Sequence, residues 1–184
     1  MRGFVISLAV MIALIVVGGL AFIYSGFFNV AATEPHSLFT RWVLETARTR
    51  SIKVHAADID VPPGLDEPAK LLIGTEHFAA HCVVCHGAPG VPRGEIGQGL
   101  SPQPPNLAYS SAHYTPSELF WIVKHGIKMT GMPAWEDHSD DEVWATVALI
   151  RKLPKMSPED YAKLVVQVIT HGGTPHNHVP GHHH

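Results

Sequence analysis

Hydrophobic positions along this chain fall first into one long unbroken run and then into short periodic ones. Residues 3–28 carry no charge, with Arg2 in front and Glu34 as the next charged residue. An apolar run of this length predicts a helix that crosses a membrane. The rival is a cleaved secretory signal, with Val30-Ala31-Ala32 as its small-residue site. Such a signal has an apolar centre of only about 7–15 residues, so an uncleaved anchor is the expectation. Arg2 ahead of the run puts the N-terminus on the cytoplasmic side and the rest of the chain outside the cytoplasmic membrane.

From residue 37 the pattern becomes that of short amphipathic helices. Residues 37–51 predict one, with Leu38, Trp42, Val43 and Leu44 on one side and Arg41, Arg48 and Arg50 elsewhere. Trp42 suits a membrane interface and suits ordinary packing equally well. Pro62-Pro63-Gly64 breaks the pattern, so residues 58–68 read as an extended linker. Helices follow over 68–82, over 117–126 behind Thr115-Pro116, and over 141–153 behind Ser139 with basic residues in its last turn. Ser157-Pro158-Glu159-Asp160 opens one more, to about residue 170. No strand pattern is visible, and the fold class expected is all-α. Four segments result: an anchor over 1–32, a juxtamembrane connector over 33–66, a folded domain over 67–154, and a helix with a tail over 155–184.

Charge narrows the partners. Charged residues make up 16% of the chain and the formal net charge is −3, which gives no footing for nucleic acid. The tail from 171 to 184 holds six histidines among Gly, Pro and Asn; such tracts bind metal in some chains, and a solvated tail or a remnant of a purification tag reads as well.

Chemistry concentrates in Cys82-Val83-Val84-Cys85-His86. A C-x-x-C-H run is the attachment pattern of a c-type haem. On a helix, residues three and four apart share a face, so both thiols reach one porphyrin and His86 follows to reach its iron. A disulfide between the two cysteines, a thioredoxin-like dithiol and a structural zinc are the competing readings. The disulfide leaves His86 without a role. The dithiol wants a βαβ setting, and the zinc wants a fourth ligand. After His86 runs a long Gly- and Pro-rich loop to Pro104-Pro105. Loops of that length are unusual in a small domain unless they wrap something.

These features, spaced as they are, make residues 74–153 resemble the class I cytochromes c, small all-α monohaem electron carriers. Gly74 and Phe78, eight and four positions before Cys82, match the first helix of that family, where it meets the last. Pro105-Asn106-Leu107 is similar to its Pro-Asn-Leu segment, which implies a Pro105 carbonyl bonded to the imidazole of His86 and Leu107 packed on the haem. The doubled Pro104-Pro105 leaves the carbonyl open. Gly131-Met132-Pro133-Ala134-Trp135, about 46 residues after His86, resembles the axial-methionine loop, and Trp144 the aromatic position closing on the first helix. The resemblance implies one covalently bound haem c held by Cys82, Cys85, His86, Pro105, Leu107 and Met132, with His86 and Met132 as iron ligands. Met129 is the alternative to Met132, as a gap-filling residue that happens to lie nearby. His113, His125 and His138 read as surface residues, His36 and His55 as solvated. His77 and His81 read as a solvated helix face, with a metal pair as the minor alternative.

A His/Met iron has no open position, so no catalytic residue is expected, and Val83, Val84, Leu107, Ile122 and Trp135 are expected to keep water away. The chain reads as a membrane-anchored electron carrier with its haem domain on the periplasmic side of a bacterial cytoplasmic membrane. It would be a subunit or tethered carrier in a hetero-complex with a dehydrogenase or a terminal oxidase or reductase. A haem sensor or peroxidase-like enzyme with a displaceable sixth ligand is the alternative from another class. A metal-handling protein using the histidine tail is a third.

Overall fold

The computed structural model describes residues 1–170; the histidine tail lies outside the described residues. Among these the chain is helical, apart from one isolated bridge between Ala88 and Val91. It divides into two compact units, Met1–Pro35 and the chain from His36 onward. The first is a single helix, α1 (Arg2–Tyr24), in which no residue is buried. Its 23 residues make about 34 Å of helix, a match to a hydrocarbon core of about 30 Å.

In the second unit, four of the longer helices are built around a fifth. They are α2 (Leu38–His55), α3 (Pro68–His77), α4 (Pro116–His125), α5 (Asp140–Lys152) and α6 (Pro158–Thr170). Every residue of α5 from Val143 to Ile150 is buried. A helix apolar on all sides cannot face water anywhere, so α5 is the axis on which the others pack. Local signals fix its ends. Ser139 and Glu142 form a reciprocal capping box, acidic residues fill the first turn, and Arg151 and Lys152 stand in the last. The Ser139 amide and hydroxyl, bonded to Glu142, hold its carboxyl below the usual range. Thr115 and Glu118 cap α4 in the same way behind Pro116.

The crossing of α3 on α5 is a contact of backbones. Gly74 is buried, and a Cβ built there would overlap the carbonyl of Ala145. Thr75 and Thr146, both fully buried, flank the contact. Each hydroxyl donates to a carbonyl four residues back, Thr75 to Leu71 at 2.6 Å and Thr146 to Glu142 at 2.9 Å, so the close approach leaves neither unsatisfied. Around the crossing, Phe120 of α4 stacks on Trp144 with ring centroids 4.4 Å apart, and Phe78 meets the edge of Tyr161 from α6. The stacking partner of Trp144 is therefore on α4, and Trp144 shares the buried core with Phe78. Outside the core, Asp66 ties the start of α3 to the end of α5 through Lys152 at 3.0 Å and Arg151 at 3.7 Å.

Two features differ from the sequence reading, and a third settles what it left open. The amphipathic helix predicted over 37–51 runs on to His55, and its far end is docked: Ile52 and Ala56 are buried, while Leu38 and Trp42 stand in solvent. Its apolar stripe covers only the first two turns, so packing at the other end decides its length. The stretch read as an extended linker buries Leu65 in the core, and the Ile59 carbonyl accepts a 2.8 Å bond from the Ser117 hydroxyl. Helix α6 packs on the core through Tyr161, Leu164 and Val165, a choice its sequence left open.

Replacing Gly74 with valine should lower the stability of the domain by about 1–3 kcal/mol, the usual cost of overpacking. Denaturant unfolding of Gly74→Val beside an exposed control, Ile73→Val, measures the effect. Equal midpoints for the two would refute the backbone contact.

Candidate haem site

Regular α geometry stops at His77, short of the end predicted at 82. Over Phe78–Cys82 the turn widens, with the Val83 amide donating to the Phe78 carbonyl five residues back, and a last turn, Val83–His86, follows. Wide turns of this kind are rare and gather at functional sites. Here the wide turn immediately precedes the two cysteines and the histidine.

Cys82 and Cys85 are free thiols. Burial, followed by the neighbouring Cys85, pushes the Cys82 thiol up to about 12. Such surroundings oppose a thiolate and suit an uncharged thioether. His86 donates Nδ1–H to the Pro105 carbonyl at 2.8 Å; the carbonyl can only accept, so Nδ1 carries the proton. Burial lowers the His86 pKa, the bond to Pro105 opposes this, and Arg93 adds to the lowering. A neutral ring protonated at Nδ1 keeps its lone pair on Nε2, the form an iron ligand needs. Of the two adjacent prolines, it is Pro105 whose carbonyl reaches the imidazole.

The long loop after His86 folds back on the motif. The Gly94 amide donates to the Val84 carbonyl at 3.0 Å, and a short turn, Glu95–Gly99, lies against Val84 and Cys85. Asn106 caps the next turn, Leu107–Ser110, by accepting from the Ala108 amide. Leu107 is half-buried against the core, as are Cys82, Val83, Met132 and Trp135. Val84 is 45% exposed.

The segment carrying Met132 is clamped to the end of α4. The Trp135 amide donates to the Lys124 carbonyl at 2.9 Å, and the Ile127 amide to the Met132 carbonyl at 3.3 Å. Lys124 also reaches the His138 carbonyl at 2.7 Å and the Asp140 carboxylate at 2.9 Å. The two methionines part company here. Met132 is half-buried against the core, while Met129 stands 86% exposed at a positive φ of 60° and fills no gap.

Sequence reasoning missed a group of rings behind this loop. His77 and His81 lie 4.8 Å apart by ring centroids, and His138 comes within 4.6 Å of His77. Trp135 contacts all three at 4.8–5.2 Å. His77 is only 9% exposed, so neither the solvated face expected for the pair nor the surface role expected for His138 holds. The i, i+4 spacing of the pair was visible; the arrival of a residue 61 positions after His77 was not. Among the described residues no three His, Cys, Asp or Glu side chains are arranged to hold a metal ion. His125 pairs with Glu136 at the surface, and the exposed His55 ring lies 5.5 Å from Trp121.

Gly126 is the point on which the methionine segment turns. Its φ is +64°, and a Cβ there would stand 2.6 Å from the Pro133 carbonyl carbon. Gly126→Ala should cost about 1–3 kcal/mol through strain and overlap. Thermal unfolding followed by far-ultraviolet dichroism measures it; an unchanged midpoint would show that the loop does not depend on this approach.

Comparison with known proteins agrees with the geometry. The family model described as cytochrome c oxidase, cbb3-type, subunit III matches residues 69–150. A quinohemoprotein alcohol dehydrogenase of Comamonas testosteroni is 36% identical over 86 residues, which are 46% of this chain and 11% of that enzyme. The match thus takes in a small part of the relative. Together these matches make residues 69–150 a class I cytochrome c domain.

Proposed function

We propose that this chain is a membrane-anchored monohaem cytochrome c that passes single electrons between respiratory or periplasmic redox proteins. The observation that carries the reading is the 2.8 Å bond from His86 Nδ1 to the Pro105 carbonyl, one residue after a pair of free thiols. Cys82 and Cys85 would hold one haem c through thioethers, and His86 and Met132 would supply a nitrogen and a sulfur to its iron. When bound, the haem provides one-electron exchange at its iron.

The chain's own residues set the terms of that exchange. Pro105 fixes the His86 ring and keeps the proton on Nδ1. The soft Met132 thioether favours the reduced iron and leaves no open coordination position. Leu107, Ile122 and Trp135, all half-buried, keep water from the ligands. Helix α1 would anchor the domain, with Arg2 on the cytoplasmic side and the cytochrome on the periplasmic side. The compared proteins support a place beside a larger redox enzyme: one family is named for an oxidase subunit, and the relative is a dehydrogenase. A role as subunit or tethered carrier in a hetero-complex with either kind of enzyme follows from that support.

Met132 separates a carrier from a sensor or peroxidase-like enzyme. The oxidised protein should show the weak near-infrared band of sulfur bound to iron, and Met132→Ala should abolish it. The variant should also bind carbon monoxide readily when reduced and have a lower midpoint potential. Met129→Ala should leave both unchanged. Stoichiometric carbon monoxide binding by the unaltered protein at neutral pH would overturn the carrier reading.

A further inference from the structure

Helix α2 has two ends of different character. Its last turns are fastened to the cytochrome unit through buried Ile52 and Ala56 and through the ring contact of His55 with Trp121. At its first turns, Leu38, Phe39 and Trp42 are 80%, 72% and 62% exposed, and the Phe39 and Trp42 rings lie together at 6.1 Å. At 100° per residue, Leu38, Trp42, Phe39 and Val43 share an arc of about 140°. Arg50 and Lys53 lie on that same arc, beginning about 12 Å further along the axis from Trp42. Beside Glu45, the only acid, the helix carries four basic side chains, Arg41, Arg48, Arg50 and Lys53. Among the described residues no ion pair engages them.

One face therefore presents aromatic and aliphatic groups first and positive charge about two to three turns later. That order matches the depth profile of a bilayer surface entered tip first: acyl chains, then phosphates. The occupant is also within reach. Thirteen residues, 25–37, separate α1 from α2, and they extend at most about 47 Å. If α1 spans the membrane, Leu38 lies within about 47 Å of the surface from which α1 emerges.

We propose that the first two turns of α2 insert into the outer face of the bilayer, with Arg50 and Lys53 on anionic phospholipid headgroups. This rests on the membrane anchoring proposed above and adds to it. The helix acts as a strut of about 27 Å, lipid-bound at one end and docked on the cytochrome unit at the other. It holds the domain at a set height over the membrane, where a flexible tether would let it swing.

The test uses the full haem-bearing chain in bilayer nanodiscs that contain anionic phospholipid and a lipid with a photoactivatable acyl chain. Labelled residues are mapped by mass spectrometry. Labelling is expected in two blocks, within 2–28 and within 38–43. The exposed triple substitution Leu38→Ser, Phe39→Ser, Trp42→Ser should abolish the second block and keep the first. In wholly zwitterionic discs the second block should weaken several-fold, as it should in Arg50→Gln, Lys53→Gln. Labelling of the first block alone would overturn the strut and leave the anchor standing. Labelling of neither would overturn both. A second block indifferent to lipid charge would overturn the assignment of headgroup contacts to Arg50 and Lys53.

Discussion

Backbone contact between α3 and α5 is the constraint from which the rest of the cytochrome unit follows. Only a glycine at position 74 lets the two helices meet at Ala145. That approach fixes where α3 ends, and so where the wide turn presents Cys82, Cys85 and His86. The other side chains of the site come from segments fastened to α5 or to the helix packed on it. Leu107 follows a loop whose end is tied to α5 by the Ser111 hydroxyl on the Ile150 carbonyl, and Met132 follows α4, which packs on α5 through Phe120 and Trp144. A buried helix with no polar face is thus the common support of segments that the sequence scatters over fifty positions.

Electrostatics at the site follow from the same packing. Burial keeps Cys82 protonated and lowers the pKa of His86. Both effects favour neutral donors, which suits a cofactor whose own charge changes by one and whose surroundings should reorganise little. The charged groups sit at the rim. Lys124 joins the methionine segment to the start of α5, and Asp66, its carboxyl held low by Lys152 and then Arg151, joins the end of α5 to the start of α3. These exposed pairs orient more than they stabilise.

Much of this was legible in the residues because it is local. Capping boxes at Thr115 and Ser139 and the proline of Pro158 set helix starts to within a residue. The C-x-x-C-H run and the Gly-Met-Pro segment carry their chemistry in their spacing. What escaped reading depends on contacts between distant positions. The docking of Ile52 and Ala56 and the meeting of His77 and His81 with His138 obey no short period. The widening of the helix at Phe78 has no composition of its own, so a uniform helix to Cys82 was the natural expectation. The doubled proline was ambiguous for the same reason, since two adjacent carbonyls differ only in where the fold points them.

The account stands or falls on a haem attached to Cys82 and Cys85. The most direct measurement is the intact mass of the purified chain under denaturing conditions. The expected mass is that of the polypeptide plus one haem, retained after acidified organic solvent has removed any pigment that is not covalently held. A bare polypeptide mass, with the pigment recovered in the solvent, would contradict it.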